Sequence, residues 1–127
     1  DPVPALARTA ALCAADDDAL SEWTHGLLAV SCEASPAAGE GSLALVVSEV
    51  SGAPRAVRAR ALREVASRAG IRLLSGVHVD ALDDLIVAWR GQGPIPLPGG
   101  RATRVGRGTQ ARILFEARSP EPTRDGG

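Results

Sequence analysis

The stretch GQGPIPLPGGRATRVGRGTQARILFE, residues 91–116, decides the fold class. Upstream of it, apolar residues recur at helical spacing; inside it the period changes. Pro94-Ile-Pro-Leu97 and Arg101–Val105 read as two short strands about a tight turn at Pro98-Gly99-Gly100. Gly106–Thr109 is a second turn. Gln110–Glu116 is a third strand, with Ala111, Ile113 and Phe115 on one face. Pro94 and Pro96 have no N–H to give a ladder, which confines the first strand to an edge. The expectation is a small antiparallel three-stranded sheet.

Toward the N-terminus the pattern is helical. Ser75 is placed to N-cap a helix over residues 76–90, burying Val79, Leu82, Leu85, Ile86 and Trp89. Asp80, Asp83 and Asp84 are expected to face outward, near the end of the helix that favours acids. A second helix spans residues 54–69, with Pro54 in its first turn, Leu62, Val65, Ala66 and Ala69 inward, and Gly70 as its C-cap. Leu43–Val47 is either a strand or an extended packing segment, after a Gly/Pro/Ser-rich loop at 34–42. Residues 4–31 read as one long helix: Leu6, Cys13, Leu20 and Leu27 recur every seven residues, and Ala10, Trp23 and Val30 widen the stripe. The expected fold is therefore α+β and mainly helical. A long N-terminal helix (1–33) precedes a small helical/β unit (34–118) and a disordered polar tail (119–127).

The chain has 127 residues and no lysine, and its charge is unevenly placed. Residues 1–50 hold one arginine against eight carboxylates, whereas residues 51–127 hold thirteen arginines against seven carboxylates. The lack of Lys, Asn, Tyr and Met beside abundant Ala, Arg, Gly and Pro reflects a high-GC coding bias. The segregation of charge does not follow from that bias. It points to a polyanionic partner, nucleic acid first, with a solvated basic surface as the plain alternative.

Other function classes find little support. Cys13 and Cys32 are isolated thiols without metal-ligand spacing, which fits a reducing, cytoplasmic setting. No apolar run approaches the ~18 residues of a membrane span. Asp16, Asp17 and Asp18 diverge by about 100° per step on a helix and cannot converge on one ion. No nucleophile–base pair or paired-carboxylate pattern stands out. Gly99-Gly100 lacks the strand–loop–helix context and the GK[ST] of a phosphate loop. Trp23, Trp89 and Phe115 are all expected to be buried, so contacts to RNA should fall on phosphate and ribose, not on stacked bases.

The cations therefore carry the expectation. Arg55, Arg60 and Arg63 on the second helix and Arg101 and Arg104 on the sheet are the candidate contacts, by charge and exposure. Arg58 falls on the inward stripe with Leu62 and Val65, where a structural bond to a carboxylate or carbonyl is expected. His78, beside Leu82 and Leu85, reads as a packed histidine, and His25 as a surface one.

The order of these pieces resembles a known family. Arg58-x-Arg60-x-Leu62-Arg63, Ala69-Gly70-Ile71 and Val77-His78-Val79-x-x-Leu82 precede Gly91-Gln-Gly-Pro-Ile-Pro-Leu-Pro-Gly-Gly100. Together with Asp17-Asp18-Ala19-Leu20, this is similar to the C-terminal region of bacterial tRNA(Ile)-lysidine synthases of actinobacterial type. Leu97-Pro-Gly-Gly100 is its most specific element, and the resemblance covers roughly residues 4–116. It implies a tRNA-holding part of an enzyme that ligates lysine to the wobble cytidine of tRNA(Ile). ATP, with Mg, and lysine would bind an N-terminal ATP-pyrophosphatase domain marked by SGGxDS, a motif this chain lacks. The first helix would then be the linker from that domain, the expected partners being tRNA(Ile) and the domain itself, and the parent a short-form enzyme. No catalytic residue or cofactor site is expected within the chain. The alternative reading is a docking or homodimerising module, using the heptad stripe of the first helix and an arginine-rich face.

Overall fold

The computed structural model describes residues 3–118, with side chains from residue 15 onward. Leu6, Ala10, Cys13 and the expected tail thus lie outside the described side chains. The elements are α1 (Val3–Ser31), β1 (Cys32–Ala34), β2 (Leu43–Val46), α2 (Val47–Val50), α3 (Arg55–Arg68), α4 (Gly76–Val87), β3 (Ile95–Leu97), β4 (Gly100–Val105) and β5 (Arg112–Ala117). The fold is α+β, as the sequence implies.

The sheet is antiparallel and has five strands, not three, in the order β1-β2-β5-β4-β3. Of the two additional strands, β2 is one of the two alternatives open for Leu43–Val47, and β1 has no signal in the sequence. β1 continues directly from the last turn of α1 and has only three residues. β2 is covered on both faces, with Ala44, Leu45 and Val46 all buried, so no alternation marks it. β3, with Pro96, does lie at an edge.

Pairing of Ala102 with Phe115 and of Arg104 with Ile113 sets the pleat. Ala102, Arg104, Ile113, Phe115 and Leu45 therefore share the core face, against which Leu28 of α1, Leu62 and Val65 of α3 and Leu82 and Leu85 of α4 pack. The opposite face carries Arg101, Thr103, Arg112, Leu114 and Glu116.

Local chemistry ends each helix sharply. Gly70 N–H bonds Ser67 O and Ile71 N–H bonds Ala66 O, the paired bonds that close α3 and bury Ile71. At α4, Ser75 Oγ accepts from His78 N–H while His78 Nδ1 accepts from Ser75 N–H. His78 is thus half of a capping box, with its ring in the place usually taken by Glu. The Leu97-Pro-Gly-Gly100 turn needs both glycines. Gly99 sits at φ 82°, and a Cβ on Gly100 would lie 2.4 Å from Glu116 O and 2.8 Å from the Ile71 side chain.

Three burial expectations are reversed. The inward line of α1 runs through Thr24, Leu28 and Ser31, leaving Trp23 51% exposed and Val30 outward. Thr24 and Ser31 tolerate this because each hydroxyl donates to the carbonyl four residues back, at 2.7 Å. Trp89 is 42% exposed because α4 stops at Val87 and the indole leaves the helical stripe. Asp83, expected outside, is buried, since four residues from Val79 it returns to the inward stripe.

Candidate nucleic-acid interface

The arginines divide into those the fold consumes and those it leaves available. Arg58 is consumed. Its Nε and Nη2 bond the two Asp83 carboxylate oxygens at 2.7 and 3.0 Å, and Nη1 donates to Ala53 O at 2.6 Å. The bond to Asp83 raises the Arg58 pKa further, against the opposing effect of burial. Two inward stripes of opposite charge thus meet across the α3–α4 seam, in the structural role the sequence suggests for Arg58.

Arg55 joins the same seam, paired with Asp80 and 3.6 Å from Asp83. On the outer sheet face Arg101 pairs with Glu116 at 3.3 Å, and Arg112 reaches Glu33 at 2.6 Å. Arg104 is half-buried on the core face and donates Nη1 to Leu85 O at 2.7 Å. Strand alternation therefore puts Arg101 and Arg104 on opposite sides of the sheet, and they do not form one contact patch.

Arg60 and Arg63 do come together, in a groove of about 490 Å³ between α1 and α3. Its lining includes Ser21, Thr24 and His25 from α1 and Arg60, Arg63 and Ser67 from α3. Arg60 Nη1 bonds Ser21 Oγ at 3.2 Å, and Nη2 pairs with Asp17. Arg63 has no carboxylate partner among the described residues. It spends one of a guanidinium's five N–H donors on Leu74 O, at 2.8 Å.

Arg63 and Ser67 also line a second groove, of about 460 Å³, with Arg72, Leu73 and Leu74. The two grooves therefore adjoin along α3, with Arg63 at their junction. Leu73 is 90% exposed and holds φ at 64°, a conformation costing a leucine about 1–3 kcal/mol. Arg72, just past the α3 cap, is the further cation of this surface. A third hollow, of about 630 Å³, lies beside Pro96, Arg101, Glu116 and Arg118 on the outer sheet face.

The adjoining grooves present guanidinium groups and hydroxyls 21 and 67 along a concave surface, the donors that phosphate oxygens accept. Among the described residues no group of His, Cys, Asp or Glu could hold a metal. Burial, only partly offset by Arg68, pushes the Cys32 thiol up and disfavours its nucleophilic thiolate. Among the described residues no helix is long and apolar enough to cross a membrane.

Comparison with known proteins shows the family. The model of the TilS substrate binding domain matches residues 45–109, from β2 through α3, α4 and the β3–β4 hairpin. The tRNA(Ile)-lysidine synthase of Thermobifida fusca (strain YX) is 43% identical over 115 residues, covering 89% of this chain and 32% of that protein. That of Salinispora arenicola (strain CNS-205) is 44% identical over 99 residues, 75% of this chain and 27% of the relative. That of Streptomyces coelicolor is 39% identical over 99 residues, 76% of this chain and 26% of the relative. The chain thus spans about a third or less of the length of the curated relatives it matches. No solved structure matches it. With more than half of its residues inside the matched segment, the chain belongs to the TilS substrate binding domain family.

Proposed function

We propose that this chain is the tRNA-holding part of a tRNA(Ile)-lysidine synthase, working in the cytoplasm. It grips the tRNA backbone in the adjoining grooves along α3, while a separate N-terminal domain joins lysine to the wobble cytidine with ATP. The observation that carries this reading is Arg63: a cation without a carboxylate partner among the described residues, set where two grooves meet. Arg60 and Arg72 flank it, and Ser21 and Ser67 add hydroxyls. Such contacts fix the position of an RNA without reading its sequence. Arg55, Arg101 and Arg104 have secondary roles in this reading, because they do not line the adjoining grooves along α3.

Filter binding of the chain to tRNA at ~50 and ~200 mM salt tests the proposal. Phosphate contacts release counterions, so affinity should fall steeply between the two. Absence of binding at the lower salt would remove the proposal.

One feature favours a second reading. Trp23 and Val30, seven residues apart, are exposed on the same face of α1, as a docking or dimerising helix would be. A discrete dimer in sedimentation, with no affinity for tRNA, would support that reading instead.

A further inference from the structure

Trp89 sits in a hydrogen-bonded loop with a cation against its ring. Its loop is closed by Gln92, whose Oε1 accepts from Arg90 N–H at 2.7 Å and whose Nε2 donates to Ala88 O at 3.3 Å. The Arg104 guanidinium lies against the indole, 5.0 Å from the ring centroid. Leu85 O, the last turn of α4, holds that guanidinium in turn. Both neighbours of the ring are thus fixed, yet the residue stays 42% exposed. One indole face is taken by the cation. Neither Arg90 nor Arg104 has a carboxylate partner among the described residues, and Arg104 Nε is buried without an acceptor.

Large apolar surface is ordinarily buried, and this arrangement instead leaves it in solvent beside two cations. A flat electron-rich ring with its ordering cost already met is what an unpaired nucleobase stacks on, and nearby guanidinium groups suit the phosphates on either side. We infer that the Trp89–Arg104 pair is a stacking platform for an unpaired base of the bound RNA. The inference rests on the tRNA-holding reading and adds to it a base contact that burial of all the aromatics would forbid. It places a single-stranded element of the RNA, a loop or an end, at the tip of α4. Paired bases, already stacked in a helix, cannot use the platform.

A Trp23→Phe variant of the chain leaves Trp89 as its sole tryptophan. Its emission is followed on adding a single-stranded RNA of about nine nucleotides, or an abasic strand of the same length with the same phosphates. The expected result is quenching by the base-bearing strand alone, with on the order of tenfold tighter binding than the abasic strand. Trp89→Ala, followed by filter binding, should bring the two strands to equal affinity. Equal binding of the two strands with unaltered emission would overturn the platform and leave the phosphate grip standing. Failure to bind either strand by a chain that binds tRNA on filters would overturn the platform alone, and failure to bind tRNA as well would overturn both. The comparison of strands on the tryptophan-bearing chain needs no change at Trp89, so a folding defect in the alanine variant cannot decide it.

Discussion

At the residue scale the arginines separate by what they touch. Arg58 and Asp83 form a buried pair, and removing one partner leaves the other charged and unsolvated. Arg58→Ala should therefore lower unfolding free energy by about 3–5 kcal/mol in urea titrations. Arg63→Ala, exposed and holding one carbonyl, should cost less than about 1 kcal/mol. If the two variants were equally stable, the division into structural and available cations would be wrong. Gly100→Ala should cost about 1–3 kcal/mol, because the new methyl meets backbone at Glu116 and the packed side chain of Ile71. Thermal melts of that variant decide whether Leu97-Pro-Gly-Gly100 is needed for packing; an unchanged midpoint would say that it is not.

At the element scale the seam between α1 and α3 is both a joint and a boundary of the RNA groove. Asp17 on α1 already occupies Arg60 and takes the position a phosphate would claim. The pair is exposed, so breaking it should change stability by less than about 1 kcal/mol. Asp17→Asn should instead strengthen RNA binding a few-fold at low salt, measured by titration against tRNA, because Arg60 is freed and an anion removed. Weaker binding in that variant would mean the pair positions Arg60 for the RNA and does not compete with it.

The same seam shows how much was legible in the sequence. The three longer helices, the β3–β4 hairpin and β5 were readable from period, Gly/Pro punctuation and the Ser75 cap. The inward role of Arg58 was readable from its place on the stripe. The orientation of α1 was not, because Thr24 and Ser31 line the inner face with their hydroxyls satisfied by the helix itself. A hydrophobic count therefore selects Trp23 and Val30 in error. Asp83 was misread by the same habit of sending charge outward, although the opposite charge on the α3 stripe was a usable signal. Arg101 and Arg104 are candidates by charge and expected exposure, while an odd spacing along a strand sends them to opposite faces. The adjoining grooves and the exposure of Trp89 depend on tertiary packing and have no local signature.

At the scale of the whole molecule, the charge division of the sequence becomes a division of labour. Carboxylates from α1, α4 and the sheet neutralise Arg55, Arg58, Arg60, Arg101 and Arg112, and the fold is knit by those pairs. The cations left over are few, and Arg63 and Arg72 lie together along one concave side. A near-neutral chain can thus hold a polyanion, because its positive charge is concentrated where its negative charge is already spent. The decisive measurement is the slope of log affinity for tRNA against log salt, for the unmodified chain and for Arg60→Ala/Arg63→Ala. Each lost phosphate contact should make the slope shallower by about one, so the double variant should lose about one from Arg63 and up to about one more from Arg60, where phosphate must displace Asp17. An unchanged slope in a folded double variant would contradict the assignment and move the RNA away from α3.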